Sequence, residues 1–259
     1  MATYKNYNKN NQAKKHDIFT QRRNLNKNME NATKSEKLMN GVGLWTSYYR
    51  LFPHLFVRDY LGINLKVFQM ILIYFMMHFH YFLYIASRGQ GKSFLTAVFL
   101  VTRAVLFPET KIVIAAGNLK QATEVIGKIQ DMMGNSSNLA REIEDIKTST
   151  NNAGVYFRNG STIRVAASND GARGLRANLI IVDEFRIVPL EIITKVIKKF
   201  MSAPRQPKYL QKPEYAHLKE RNKEIYLSSA WLKHHWSWDK VKAYFESMTD
   251  GKPYFLCSL

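Results

Sequence analysis

The segment Ser87-Arg88-Gly89-Gln90-Gly91-Lys92-Ser93 combines the residue types that bind phosphate. Its two glycines let successive backbone N–H groups point at one anion, its lysine can reach the β and γ phosphates, and its last serine offers a hydroxyl to Mg²⁺. The order is that of a Walker A loop in which Ala86 replaces the first glycine of the consensus. A chance glycine turn is the alternative, and the elements on either side of the loop decide between the two.

Two adjacent carboxylates, Asp183 and Glu184, follow the apolar residues Leu-Ile-Ile-Val at 179–182. Such a run predicts a strand buried in a parallel sheet, with both carboxylates at its carboxyl end. Asp183 can hold Mg²⁺ through the water shell of the ion, and Glu184 can polarise the water that attacks a γ-phosphate. An acidic turn after a core strand is the alternative. Together with the upstream loop, the pair predicts a Walker B motif and nucleotide hydrolysis.

These motifs need a scaffold, and the chain alternates between strands and helices. A β-branched and aromatic run at 81–85 precedes the glycine loop and predicts a strand, and an apolar run at 94–107 after the loop predicts a buried helix. The Asn159-Gly160 pair predicts a hairpin of two short strands within 155–165. We also predict strands at 111–116, 224–228 and 253–259, and helices at 118–133, 191–201 and 238–248. This alternation indicates an α/β fold with a mainly parallel central sheet flanked by helices. With the Walker A and Walker B motifs at the carboxyl ends of its strands, we expect a P-loop NTPase of the RecA-like, ASCE class.

Residues 67–86, VFQMILIYFMMHFHYFLYIA, are about as long and apolar as a membrane span. The stretch contains one glutamine and two histidines, and the glycine loop follows it directly. We therefore predict a buried helix from Asn64, as its N-cap, to about Met77, and then a strand. A transmembrane helix is the alternative.

Charge and composition restrict the class of protein. The chain carries 38 Lys+Arg and 20 Asp+Glu, a formal net charge of +18, which points to a polyanionic partner such as nucleic acid or an acidic membrane surface. Its 46% of hydrophobic residues can form a core, and its single cysteine, Cys257, excludes an intrachain disulfide framework. Residues 1–40 hold nine Lys+Arg, three acids and nine Asn. We therefore predict a basic Asn-rich N-terminal arm at 1–40, followed by a folded domain at 41–259, and no secretory signal peptide.

Several motifs together resemble the ATPase domain of the large terminase subunit of tailed bacteriophages, the motor protein of viral DNA packaging. They are Gln69, SRGQGKS at 87–93, NGSTI at 159–163, DGARGLRANLIIVDEF at 170–185 and YLSSAW at 226–231. Each is generic alone, but the arginine in the Walker A loop and the Ala-Arg-Gly ahead of Walker B make the combination specific. The resemblance runs from about Phe52 to the end of the chain.

The resemblance implies roles for individual residues around the nucleotide. Gln69 would recognise the adenine edge with its amide, and a capping or buried-helix glutamine is the alternative. Arg88 would contact the γ-phosphate within the same subunit, and Arg173 would reach the nucleotide of a neighbouring subunit as a trans finger. Arg176 is close enough to be confused with Arg173, and either could instead be a surface or DNA-facing charge.

Ser228-Ser229-Ala230 resembles the terminase coupling motif, whose hydroxyls sense the γ-phosphate and pass its state to the parts that move DNA. Without the resemblance this segment is an ordinary strand end. The Trp and His residues between 231 and 238 suggest a metal or stacking site, although we favour packing at the start of a helix.

The resemblance implies an ATPase motor that binds ATP and Mg²⁺ and translocates double-stranded DNA into a procapsid, in the cytoplasm of the host cell. The implied partners are the portal protein, the small terminase subunit and further copies of this chain in a homo-oligomeric ring, with a monomer in isolation and no membrane. Large terminases also carry a C-terminal nuclease domain with clustered acids. Because only Asp239, Glu246 and Asp250 follow Ser228, we expect the nuclease domain and its activity to be absent.

Two other classes of function stay open at this point. A superfamily 2 helicase shares the glutamine, Walker and Ser-Ala features, but it needs a second RecA-like domain. A basic membrane-associated protein would place residues 67–86 in lipid.

Overall fold

The computed structural model of this protein describes residues 33–87, 89–117, 119–149, 153–167, 175–201 and 203–258. The chain divides into two units, residues 1–51 and 52–259. The described part of the first unit contains helix α1 (Lys34–Leu51), which has no buried residue. Glu36 closes its start, since one carboxylate oxygen accepts the backbone N–H of Thr33 at 2.8 Å. Residues 1–32 of the predicted basic arm lie outside the described residues.

The second unit alternates helices and strands, as the sequence predicts. Its elements in chain order are α2 (Pro53–Asp59), α3 (Val67–His78), β1 (Tyr81–Ile85), α4 (Lys92–Leu106), β2 (Lys111–Ala116), α5 (Leu119–Asn135), α6 (Ser137–Glu142), β3 (Ile143–Lys147), β4 (Gly154–Phe157), β5 (Thr162–Ala167), β6 (Leu179–Asp183), α7 (Leu190–Lys195), β7 (Lys223–Ser228), α8 (Trp236–Thr249) and β8 (Tyr254–Ser258). Short 3₁₀ helices lie at Ile197–Phe200, Lys208–Gln211 and Pro213–Leu218.

The described strands form one eight-stranded sheet in the order β3-β4-β5-β2-β6-β7-β1-β8. Strand β4 is antiparallel to β3 and β5, and the other described pairs are parallel. Ile85 of β1 lies opposite Ser228 of β7, and Ala116 of β2 lies opposite Asp183 of β6. The carboxyl ends of the central strands therefore meet at one edge of the sheet, which is where an open α/β sheet binds its ligand.

The core follows from the apolar runs of the sequence. All five residues of β6, Leu-Ile-Ile-Val-Asp, are buried, as expected of a parallel strand covered on both faces. Helix α4 is buried along most of its length. Helix α5 is amphipathic and buries residues spaced by three or four positions: Ala122, Val125, Ile126, Ile129 and Met132.

The predicted strand at 111–116 and the predicted hairpin at 155–165 are confirmed. Gly160 in the turn has φ +80°, a conformation that suits glycine. The side-chain amide of Asn159 donates to the carbonyl oxygens of Ala104 and Val105 at 2.8 and 3.2 Å. The hairpin turn therefore also satisfies carbonyl groups in the last turn of helix α4.

The apolar stretch at 67–86 is divided between helix α3 and strand β1, and no helix among the described residues could cross a bilayer. The prediction of Asn64 as the N-cap is wrong. Helix α3 begins at Val67 with Lys66 as its N-cap residue, because the Gln69 side chain accepts the backbone N–H of Lys66 at 2.9 Å.

Other elements differ from the predictions at identifiable places. The predicted helix at 191–201 is the short helix α7, followed by a 3₁₀ turn after Val196. Strand β3 was not predicted. Its sequence, Ile-Glu-Asp-Ile-Lys, is mostly exposed at the edge of the sheet, where a strand does not need an apolar pattern.

Candidate functional site

The loop between β1 and α4 places two left-handed glycines at a helix N-terminus. Gly89 has φ +83° and Gly91 has φ +71°, so a side chain would be strained at either position. Helix α4 begins at Lys92, immediately after Gly91. The N–H groups of a first helical turn have no intrahelical partner, and the positive end of the helix dipole lies there, so this loop is suited to an anion. Arg88 lies outside the described residues.

Lys92 connects this loop to the carboxyl ends of β6 and β7. Its Nζ donates to Glu184 Oε1 and to Ser229 Oγ, each at 2.9 Å. The Lys92 and Glu184 side chains are only 14% and 16% exposed, so water and salt screen the pair weakly. Three candidate residues that are far apart in the sequence therefore meet at one point.

Glu184 is held by several donors. Its Oε2 accepts the Ser228 hydroxyl at 3.2 Å and the Ser229 backbone N–H at 3.4 Å, and its Oε1 accepts the Ser229 hydroxyl at 3.2 Å. Burial acts to raise the pKa of Glu184, but the hydrogen bond and charge of Lys92, helped by Arg186, outweigh burial and lower the pKa to about 2. The carboxylate is therefore ionised at neutral pH.

The backbone of Glu184 is strained. Its φ is +45°, in the left-handed region, where a residue other than glycine costs about 1–3 kcal/mol. The turn that follows is closed by a hydrogen bond from Ile187 N–H to the Glu184 carbonyl oxygen at 2.9 Å. The turn directs the Glu184 side chain toward the glycine loop.

Asp183, one residue earlier, has a different environment. It is buried, and its Oδ1 accepts the Glu184 backbone N–H at 3.0 Å. Burial, together with the negative charge of Glu184, raises the pKa of Asp183 to about 6. A divalent cation beside this carboxylate would offset both effects, and the hydroxyl of Ser93 is a second oxygen ligand of the kind that Mg²⁺ accepts.

The donor set fits Mg²⁺ bound with a nucleotide. Within the parts of the chain that the structure describes, no three His, Cys, Asp or Glu residues form a group that could hold a metal ion. Mg²⁺ commonly keeps several waters and is bound through one or two carboxylates together with substrate phosphates, which a site with few protein ligands allows.

A cavity of 490 Å³ lies between the glycine loop and the ends of β6 and β7. This is within the range of about 300–1,000 Å³ that is typical of small-molecule sites. A second cavity of 330 Å³ shares Phe94 and Lys128 with the first, and its lining includes the apolar side chains of Leu61, Ile63 and Met132. The first cavity is lined by Ser87, Gly89, Gln90, Gly91, Lys92, Ser93, Phe94, Gln121, Lys128, Glu184, Arg186, Ile187 and Ser229.

Gln69 lies beside the loop and also closes helix α3. Its Oε1 accepts the backbone N–H of Lys66, so the capping alternative is confirmed. A Cβ placed on Gly91 would lie 3.8 Å from Gln69 Nε2, so the amide nitrogen is next to the glycine loop. Recognition of adenine by Gln69 stays a prediction.

Arg173, the predicted trans finger, lies outside the described residues. Arg176 is exposed and does not line the cavity. Ala230 is exposed immediately after Ser229.

The Trp and His residues at 231–238 do not form one site. His235 is the N-cap of helix α8, with its Nδ1 accepting the Ser237 N–H at 3.3 Å, and Trp236 packs edge-on against Phe185. The packing interpretation is therefore confirmed for these two residues.

Sequence reasoning missed Arg186. Its Nε donates to Glu184 Oε2 at 3.1 Å, and its guanidinium carbon lies 4.2 Å from the centre of the Trp231 ring. A signal for it was present in the order Glu-Phe-Arg after the strand. Phe185 is fully buried, and the polar residues on either side of it, Glu184 and Arg186, both line the cavity.

Comparison with known proteins relates this geometry to a family. The family model "Terminase large subunit, T4likevirus-type, N-terminal" matches residues 83–246, which is more than half of the chain. A search of curated proteins gives no match.

Three solved structures share the fold at low sequence identity. The large terminase ATPase domain of Thermus phage P74-26 is 17% identical, with a TM-score of 0.52 over 70% of this chain and 71% of that chain. The large terminase of bacteriophage HK97 is 16% identical, with a TM-score of 0.52 over 76% of this chain and 39% of that chain. A large terminase from a thermophilic bacteriophage is 13% identical, with a TM-score of 0.55 over 76% of this chain and 45% of that chain. This third protein, called here the thermophilic-phage terminase, has also been solved in complex with ADP and with ATP-gamma-S.

This chain therefore spans less than half of the length of the HK97 protein and of the thermophilic-phage terminase. The likeness of the structures supports the α/β P-loop fold, and the family match extends over the glycine loop, the Asp-Glu pair and the two serines at the end of β7. The chain belongs to the family of large terminase subunits of the T4-like type, in the N-terminal region that the family model covers.

Proposed function

We propose that this chain is the ATPase motor of a phage DNA-packaging terminase, which hydrolyses ATP to translocate double-stranded DNA into a procapsid. The observation that carries the proposal is the meeting of Lys92, Glu184 and Ser229 in a cavity beside a glycine loop at a helix N-terminus. Membership of the terminase family supports the packaging role, and the complexes of the thermophilic-phage terminase with ADP and ATP-gamma-S support a nucleotide as the ligand.

ATP binding would begin with an exchange of partners at Lys92. In the structure its ammonium group pairs with Glu184 at 2.9 Å. A triphosphate offers more negative charge than one carboxylate, and the N-terminus of α4 adds backbone donors, so Lys92 moves from the carboxylate to the phosphates. Gln69, beside the loop, would contact the base.

Hydrolysis would then depend on the carboxylate that Lys92 has left. Loss of the lysine removes the strongest interaction that lowers the pKa of Glu184, so the carboxylate becomes a better acceptor for the proton of the attacking water. Mg²⁺, held by Ser93 and Asp183, would supply positive charge at the transferring phosphoryl group. Arg88 within the subunit and Arg173 from a neighbouring subunit are proposed to stabilise the same developing charge.

The two serines at the end of β7, Ser228 and Ser229, would carry the state of the nucleotide away from the site. Ser228 and Ser229 both hydrogen-bond to Glu184, and Ser229 also accepts from Lys92. When Lys92 moves to the phosphates, the hydrogen bonds of Ser229 must rearrange. We propose that residues 228–230 pass this change to the parts of the motor that contact DNA.

The rest of the proposal concerns partners and place. The net charge of +18 suits contact with the duplex backbone without reading of its sequence. We propose that residues 41–259 act as the ATPase domain after a basic arm at 1–40, within a homo-oligomeric ring on the procapsid that also involves the portal protein and the small terminase subunit. The place of action would be the cytoplasm of the host cell.

Steady-state turnover of ATP by the purified chain with Mg²⁺ tests the chemical part. Glu184→Ala should lower kcat by about 100-fold or more while nucleotide binding remains, because it removes the group that orients water. Lys92→Ala should weaken binding of an ATP analogue. Glu144→Ala, at an exposed glutamate on strand β3, is the matched control and should leave both unchanged. Turnover that survives Glu184→Ala would remove the assignment.

A further inference from the structure

Arg186 contacts both the candidate catalytic carboxylate and an exposed tryptophan. Its Nε donates to Glu184 Oε2 at 3.1 Å, and its guanidinium group lies over the Trp231 ring at 4.2 Å. The Arg186 side chain is only 13% exposed, whereas Trp231 is 55% exposed. One side chain therefore connects the interior of the cavity with a surface residue two positions after Ser229.

The two cations beside Glu184 use different oxygens. Lys92 donates to Oε1, and Arg186 donates to Oε2. If Lys92 moves to a bound triphosphate, Oε1 loses its charged partner while Oε2 keeps Arg186. The carboxylate then keeps its orientation, with Oε1 available to a water molecule.

We propose that Arg186 is a positioning residue, which holds Glu184 by Oε2 during turnover and links its position to Trp231. The inference rests on the proposed ATPase function. It extends that function by naming a residue outside the Walker motifs that sets the geometry of the carboxylate, and by naming the first surface residue that responds to it.

The chemistry of arginine suits this position better than that of lysine. A guanidinium group is planar, so its edge can donate to a carboxylate while its face stacks on an aromatic ring. An ammonium group cannot satisfy both contacts in the same way. Arg186→Lys therefore keeps the positive charge but should still lose the joint contact with Glu184 and Trp231.

The first test separates positioning from binding. Arg186→Ala and Arg186→Lys should each lower kcat for ATP about 10- to 100-fold, with KM and the affinity for ATP-gamma-S changed by less than about threefold, since the interaction serves the chemical step. Arg164→Ala, at an exposed arginine on β5, is the matched control and should behave as the unchanged chain does. Melting temperatures identify any variant that is simply unfolded, in which case Arg186→Met, which keeps the aliphatic chain but has no donor to Glu184, replaces it and should show the same loss of kcat.

The second test follows the link to Trp231. Addition of ATP-gamma-S should change the tryptophan fluorescence of the unchanged chain, and the part of the change that Trp231→Phe removes is the Trp231 signal. Arg186→Ala should remove the same part while still binding ATP-gamma-S. In kcat, the effects of Arg186→Ala and Trp231→Ala should be less than additive, because both break one link.

Two outcomes would overturn the inference: a kcat of Arg186→Ala within about twofold of the unchanged chain, or an unaltered Trp231 signal in that variant. A failure of the proposed function looks different. In that case Glu184→Ala and Lys92→Ala themselves leave turnover intact, whereas a failure of the Arg186 inference alone leaves those two variants inactive.

Discussion

Glu184 pairs with Lys92 through one oxygen and with Arg186 through the other. An anion that binds in the glycine loop must compete with this carboxylate for Lys92, so part of its binding free energy is used to break the pair. Under the proposed function this cost would be offset, because the separated carboxylate would then be placed to act on water. The contact between Lys92 and Glu184 would thus oppose nucleotide binding and, once broken, favour hydrolysis.

Gln69 combines a cap and a position beside the loop in one amide group. Its oxygen accepts the Lys66 N–H, and its nitrogen lies near Gly91. Gln69→Glu keeps an acceptor for the cap but removes the N–H donor. We expect its melting temperature to stay close to that of the unchanged chain and its ATP affinity to fall about fivefold, the equivalent of ~1 kcal/mol for one hydrogen bond.

Gln69→Ala loses both the acceptor for the Lys66 N–H and the N–H donor. Its free energy of unfolding should therefore also fall, by about 0.5–2 kcal/mol for the lost cap. Thermal unfolding and titration with a fluorescent ATP analogue measure the two effects separately. Gln130→Glu, at an exposed glutamine on α5, controls for the added charge. If Gln69→Glu binds ATP as tightly as the unchanged chain, Gln69 is a cap alone.

At the scale of elements, sequence patterns predicted the bounds of strands best where the strands are buried. The run Lys-Ile-Val-Ile-Ala-Ala gave the bounds of β2, because a strand buried on both faces must be apolar throughout. Strand β3 has most of its side chains in water, so its pattern carries no such signal. Lys92 and Glu184 could be expected at one site because their motifs follow the carboxyl ends of parallel strands, β1 and β6, which β7 separates in the sheet. The position of Arg186 also depends on a turn with positive φ at Glu184, and a glutamate does not predict such a turn.

The hairpin between β4 and β5 supports helix α4 as well as the edge of the sheet. Asn159 donates to the carbonyl oxygens of Ala104 and Val105, and the hydroxyl of Ser161 also donates to that of Ala104, at 2.9 Å. Asn159→Ala should therefore lower the free energy of unfolding by about 1–3 kcal/mol, since the Val105 carbonyl loses the Asn159 donor and the Ala104 carbonyl keeps only that of Ser161. Urea unfolding followed by circular dichroism measures the change.

The control for the hairpin is Asn135→Ala. Asn135 donates to a single carbonyl oxygen, that of Asp131, at an exposed helix end. Its replacement should cost less than about 0.5 kcal/mol, as surface substitutions usually do. Equal losses for the two variants would mean that the hairpin does not support helix α4.

At the scale of the whole molecule, the excess of positive charge is not all available to a polyanion. Arg103 and Arg205 are buried and both pair with Glu220, and Lys223 is buried and donates to the Met77 carbonyl oxygen at 3.1 Å. These cations hold the end of the sheet opposite the candidate site. A sequence count of charges therefore overestimates the part of the +18 that can contact DNA.

Lys240 is a partly buried cation that should make the stability of the fold depend on pH. Its ammonium group lies 3.6 Å from the centre of the Tyr226 ring, and burial, together with the nearby charge of Lys198, lowers its pKa to about 8, despite the opposing effect of Glu224. Because the unfolded chain keeps the usual lysine pKa of 10.5, it binds more protons than the folded chain between about pH 8 and 10.5, so the contribution of Lys240 to stability rises with pH in that window.

Lys240→Met keeps the aliphatic contact with the rings and removes the charge, so it should stabilise the fold at about pH 7 by ~2 kcal/mol and by clearly less at about pH 9.5. Tyr226 and Tyr244 have raised pKa values, which lower the stability of the folded chain above about pH 10. Lys240→Met and the unchanged chain share that loss, so the difference between their free energies of unfolding reports on Lys240 alone. Lys242→Met, at an exposed lysine of the same helix, is the control and should show no pH-dependent difference in stability from the unchanged chain. An equal gain in stability from Lys240→Met at both pH values would contradict the lowered pKa of Lys240.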